Sequence, residues 1–166
     1  MGQTHNAAAM GGVQAACVRT RNCCLAKRLE GPQTIKVTIS KATNLKSLNV
    51  TGDAPFCKVK VVRKGTKEIA TNLARHLVAS GSTKSIKGNL NPEWNETFTI
   101  TGWYDEDNLL FDIMDEGALG AKREAQIVLE SSSFYPVAFD SYVTIDQPTR
   151  SYLFVKVEYV GPTAPA

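Results

Sequence analysis

The sequence predicts an all-β protein, an antiparallel β-sandwich of eight short strands. Apolar residues recur at every second position in four separate segments beyond Thr34, the pattern of strands with one face in a core and the other in water. Turn-forming residues punctuate these segments at Gly52, Gly65, Gly88-Asn89, Asn91-Pro92, Gly102, Gly117, Gly120 and Pro148, as a sandwich of short strands requires. The length of 166 residues, 43% of them hydrophobic, accommodates one such core with a short extension and leaves no room for two.

Taken in order, residues 1–33 show no periodicity. They are rich in Ala, Gly, Asn and Gln and end in Gly31-Pro32, which reads as a flexible tail. The sandwich then occupies 34–160. Ile35, Val37 and Ile39 alternate with Lys36, Thr38 and Ser40 to give the first strand. Cys57, Val59 and Val61 alternate with Lys58 and Lys60 to give the second. The stretch 71–80 lengthens the spacing between strands and reads as an insertion, either a helical turn carrying Leu73 and Leu77 or a long hairpin loop. Strands are expected over 83–87 and 96–101. Another is set by Leu109, Phe111 and Ile113 alternating with Leu110 and Asp112. Two more are expected over 125–130 and 142–145. The last is set by Leu153, Val155, Val157 and Tyr159. Gly161, Pro162 and Pro165 predict a disordered C-terminus over 161–166.

Several functional classes fall away on composition. No apolar run approaches the roughly 18–20 residues of a membrane-spanning helix. No uninterrupted apolar segment follows Met1, so no secretory signal is expected. Four cysteines without a C-x-x-C form neither a zinc framework nor a disulfide set; Cys57 lies at an inward position, and a reducing compartment is expected. The net charge of +3 is too mild to argue for nucleic acid. Its distribution is more telling. Residues 1–33 carry Arg19, Arg21, Lys27 and Arg28 against Glu30, so the whole excess lies in the tail. Residues 34–104 carry 11 basic and 4 acidic side chains, and residues 105–166 carry 4 basic and 11 acidic ones.

Three motifs in order carry a family resemblance. They are Asn44-Leu45-Lys46-Ser47-Leu48-Asn49-Val50-Thr51-Gly52-Asp53-Ala54-Pro55-Phe56-Cys57-Lys58-Val59, Asn91-Pro92-Glu93-Trp94-Asn95-Glu96-Thr97-Phe98 and Leu109-Leu110-Phe111-Asp112-Ile113-Met114-Asp115. The chain resembles the C2 domains, Greek-key β-sandwiches that dock on membranes, often through calcium. The second motif is structural in its physics: Asn91-Pro92 turns the chain, and Trp94 and Phe98 bury aromatic area. The resemblance implies calcium ligands in the first and third loops. There Asp115 keeps its position, Asn49 and Ala54 replace aspartates, Asp53 is displaced by one residue, and Gly117 stands where a second third-loop aspartate is usual. Glu116 is a displaced substitute, while Lys122 and Arg123 follow. Calcium needs six to eight oxygens, largely anionic, so Asp115, Asn49 and Asp53 make a degenerate site, and no cofactor is expected. The cluster Asp105-Glu106-Asp107 reads as a solvated turn. By the same resemblance Lys58, Lys60, Lys84 and Lys87 are candidates for anionic lipid, against the plainer reading of solvent-facing strand lysines.

The tail adds a second line. Met1-Gly2 with Asn6 partly fits the myristoylation pattern, and Cys17, Cys23 and Cys24 beside the tail arginines offer palmitoylation sites. An organelle presequence is the rival: the first 29 residues hold no acid, several arginines and many alanines, but are interrupted by Gly11-Gly12. His5 and His76 sit in no triad setting, and no G-x-S-x-G, P-loop or H-E-x-x-H occurs, so no enzyme is expected. The expectation is a cytoplasmic, membrane-associated adaptor that meets an anionic surface or a protein partner. A structural subunit of a larger assembly and a calcium-dependent lipid sensor are the alternatives.

Overall fold

The eight strands form where apolar residues alternate. They are β1 (Gln33–Thr43), β2 (Pro55–Val62), β3 (Ser80–Ser82), β4 (Glu93–Trp103), β5 (Asn108–Gly117), β6 (Gly120–Leu129), β7 (Phe139–Ile145) and β8 (Ser151–Pro162). The computed structural model describes residues 28–47, 52–63, 80–117, 120–145 and 150–164. Asn49 and most of the expected insertion over 71–80 lie outside them, as do Gly2, Cys17, Cys23 and Cys24.

The strands make two four-stranded antiparallel sheets, in the orders β4-β1-β8-β7 and β3-β2-β5-β6. Their inner faces interlock. Ile35, Val37, Ile39 and Leu153, Val155, Val157 from one sheet meet Cys57, Val59, Val61 and Leu109, Phe111, Ile113 from the other, all buried. This is the alternation read from the sequence, and burial of that apolar area is the main stabilising term. Trp103 closes one end of the core against Phe134 and Tyr135, with ring centroids 5.5 and 5.8 Å apart, and its indole N–H donates to the Asp107 carbonyl at 2.8 Å. Trp94 is a core residue too, as its motif implied.

Three boundaries differ from the sequence expectation. Residues 83–87 are not a strand: β3 has three residues and ends at Ser82, after which the Thr83 hydroxyl accepts from the Cys57 N–H. The C-terminal strand does not stop at 160. β8 runs to Pro162, opposite Gln33, and the Thr163 N–H donates to the Pro32 carbonyl. At the other end Gln33 is already the buried first residue of β1, and ordered contacts reach back to Arg28 and Leu29. Strand pairing supplies partners that Gly161 and Pro162 lack in isolation. β5 also departs from simple alternation, because Leu110 and Asp112 are buried on the outer face of a central strand.

The strand orders settle where the two charge halves lie. In each sheet β1–β4 occupy one side and β5–β8 the other. β3 and β4 come together across the sandwich, since a Cβ on Gly81 would stand 2.5 Å from the Phe98 ring, and β6 meets β7 on the opposite side. For the described residues the sequence halves are therefore spatial halves. Among the described residues the β1–β4 half carries Lys36, Lys41, Lys46, Lys58, Lys60, Arg63, Lys84 and Lys87 against Asp53, Glu93 and Glu96. The opposite half is dominated by acids.

Candidate functional site

At one end of the sandwich the start of β2 lies against the end of β5, with Pro55 opposite Asp115. This places Asp53 and Asp115 together, their carboxyls within hydrogen-bond reach of each other. The Asp115 Oδ1 also accepts from the Ala54 N–H at 2.6 Å. Burial pushes the Asp115 carboxyl up from its ordinary value; the Ala54 N–H opposes this, and the adjacent Asp53 adds to it. An open cavity of about 620 Å3 lies alongside, lined by Asp53, Ala54, Lys87, Gly88 and Glu116. Glu116 is turned aside, its Oε2 accepting from the Ser85 hydroxyl at 2.7 Å. β5 and β6 stay paired to Gly117 and Gly120, so two residues join them, and Lys122 stands opposite Asp115 in register.

Calcium, which the resemblance implies, needs six to eight oxygens. Asp53 raises the proton affinity of Asp115, Lys87 lines the same cavity, and Glu116 is engaged with Ser85. Among the described residues no group of three or more carboxylate, imidazole or thiol side chains is arranged to hold a metal. The described residues do not fit a calcium centre.

The four candidate lysines divide. Lys60 Nζ lies 2.7 Å from Asp112 Oδ2, and this carboxylate, 4% exposed, also accepts from Gln126 Nε2 at 2.8 Å and lies 3.7 Å from Arg123. Lys60 is therefore a structural cation. Lys58 projects from the same face of β2, its Nζ 5.4 Å over the Phe56 ring. Lys84 and Lys87 lie beyond β3 rather than on a strand, in the segment tied to β2 by Ile86 N–H to Pro55 carbonyl and Gly88 N–H to Asp53 carbonyl bonds. Among the described residues no carboxylate comes within ion-pairing distance of Lys58, Lys84 or Lys87.

The C2 domain family model matches residues 33–138, from the first strand to the turn before β7. The chain belongs to the C2 domain family. No curated protein matches it significantly. Among solved structures this C2 domain is similar to a C2 domain of a plant extended synaptotagmin 1, with a TM-score of 0.63 at 22% identity, covering 82% of this chain and 100% of that one. It is also similar to the human GIVD cytosolic phospholipase A2, with a TM-score of 0.60 at 16% identity over 80% of this chain and 18% of the enzyme. A calcium-bound pair of C2 domains from extended synaptotagmin 2 gives 0.62 at 16% identity, over 80% of this chain and 47% of that one. At these identities the likeness is one of fold.

The acidic turn 105–107 is not the solvated loop the sequence suggested. Asp105 Oδ2 accepts from the Leu29 N–H at 2.9 Å, and Glu106 lies 3.7 Å from Arg28. Asp107 is buried, its Oδ2 accepting from the Tyr104 N–H. Burial pushes the Asp107 carboxyl up, opposed by the Tyr104 N–H and Arg63. The turn thus fastens the segment leading back to the basic tail, at the end of the sandwich away from Asp53 and Asp115. The Asp112 network also went unread. Its signal was a carboxylate between Leu110 and Met114 in a strand whose partner carries Lys60.

Among the described residues no helix is long and apolar enough to cross a membrane.

Proposed function

We propose that this C2 domain protein is a non-catalytic adaptor that lies on the anionic cytoplasmic face of a membrane through its β1–β4 half. Its N-terminal segment adds an anchor by acylation at Gly2 and at Cys17, Cys23 or Cys24. The observation that carries the reading is the lateral partition of charge: among the described residues bases outnumber acids in the half built from β1–β4 and its loops, and acids outnumber bases in the β5–β8 half. Such a molecule is oriented by a negative surface rather than merely attracted to it. Lys58, Lys84 and Lys87 are the contact residues, each contributing about 1 kcal/mol near an anionic leaflet. Lys60 contributes less because Asp112 already holds it.

One acyl chain anchors only marginally, so a lipid chain and a basic surface are complementary signals. The anchor is tested by labelling cells with a myristate analogue. Label on the parent and its loss, together with membrane recovery, on Gly2→Ala are expected. Equal membrane recovery with and without Gly2 overturns the anchor. The charged face is tested on unacylated protein with vesicles of neutral lipid or of neutral lipid plus phosphatidylserine. Binding to the second alone is expected, falling with salt; binding to both alike overturns it.

A further inference from the structure

Each of the two sheets ends in two edge strands, and an open edge pairs with another chain unless something blunts it. Three of the four edges are blunted. β3 has three residues. β4 follows Pro92, carries Glu93 and Glu96, and breaks register where Asn95 takes a positive φ of 52°. β6 carries Lys122, Arg123 and Glu124, with a register break opposite Ile113 and Met114. β7 has none of these devices. It runs for seven residues in unbroken register with β8, carries Asp140 as its one charge, and among the described residues pairs with no strand on its other side. At its centre Tyr142, 54% exposed, packs edge-on against Tyr152 at 5.1 Å and beside Phe154 at 5.8 Å, with Lys41 Nζ 5.2 Å over the Phe154 ring.

We infer that the β7 edge is a homodimer interface, in which β7 pairs antiparallel with β7 of a second copy about a two-fold axis at Tyr142. The strand is complementary to itself in this register. Asp140 faces Thr144, Ser141 faces Val143 and Tyr142 faces its own copy, so no like charges meet. A two-fold axis makes the contact isologous and closed, which limits assembly to a dimer. The paired sheets become one of eight strands, and the aromatic cluster runs across the axis on the outer face. An edge of seven residues with a small aromatic contact suits a weak, concentration-dependent dimer.

The test is sedimentation equilibrium of the full, unacylated chain, in reducing buffer without lipid, from micromolar toward millimolar concentration. The average mass should rise from the 18.0 kDa of one chain toward twice that value. Tyr142→Lys sets two cations opposite each other and should hold the mass at one chain, with a parent-like far-UV spectrum and a cooperative melt only slightly lowered by the lost Tyr152 and Phe154 contacts. Val160→Lys, also at an exposed apolar residue but beyond the end of β7, should dimerise like the parent. A parent that stays monomeric throughout overturns the inference, as it would if another segment already covers the edge. So does a Tyr142→Lys variant that still dimerises, or a Val160→Lys variant that fails equally. Absence of lipid makes the outcome independent of whether the membrane proposal holds.

Discussion

Lys60→Met should destabilise the fold far more than an exposed lysine warrants. Removing one partner of a buried ion pair generally costs about 3–5 kcal/mol, because the remaining charge is stranded out of water. Here Asp112 keeps the Gln126 amide and the more distant Arg123, while Lys60 retains 22% of its side-chain exposure. The expected loss is therefore nearer 2–3 kcal/mol, a fall of roughly 5–10 °C in Tm for a domain of this size. Adding Asp112→Leu to Lys60→Met removes the stranded charge and joins Leu110 and Met114 in an apolar strip. The double variant should return to within about 1 kcal/mol of the parent, a coupling of about 1–3 kcal/mol. Urea unfolding of the four proteins, with a common m-value, measures this. Effects that add to within about 0.5 kcal/mol would refute the reading of Lys60 and Asp112 as one unit.

Gly81→Ala should cost about 1–3 kcal/mol, since its Cβ would stand 2.5 Å from the Phe98 ring; a melting curve matching the parent would contradict that packing. Asp115→Asn keeps the acceptor for the Ala54 N–H while removing a buried charge beside Asp53. The native carboxyl titrates above its unfolded value, so in that window the folded state binds more protons and stability falls as pH rises through it. The variant should therefore melt no lower than the parent at pH 7, and any advantage should vanish as the pH drops below the unfolded carboxyl range. A variant clearly less stable at pH 7 counts against the assignment. Cys57 is fully buried and its thiol is pushed up chiefly by burial and then by Asp112, so it should resist alkylation until the protein unfolds; rapid native labelling at Cys57, read by peptide mass, would be the contrary result.

The fold was legible because its information is local. Ile35, Val37, Ile39 and Leu153, Val155, Val157 announce inward faces by period two, and the Asn91-to-Phe98 motif fixes a turn and two aromatic contacts. What was not legible depends on pairing. Gly161 and Pro162 read as chain end until Gln33 stands opposite them. Residues 83–87 read as a strand, yet the Thr83 hydroxyl takes the Cys57 N–H, so the backbone bonds from Thr83, Ile86 and Gly88 do not continue β3 as a ladder. For the site, sequence assigned Asp53 and Asp115 to two loops of one degenerate site but not their mutual contact. It grouped four lysines as equivalent, and only the register of β2 against β5 sets Lys60 apart. The charge halves were visible as numbers; the strand order makes them sides of a molecule.

The orientation on the membrane is tested most directly by two sets of charge removals in vesicle sedimentation with phosphatidylserine. Lys58→Ala, Lys84→Ala and Lys87→Ala together should weaken binding by roughly a hundredfold, from about 1 kcal/mol per lysine. Lys122→Ala with Arg123→Ala, on the acidic side, should leave it nearly unchanged. Losses in proportion to the charges removed, three against two, would mean that net charge, and not the β1–β4 half, does the binding.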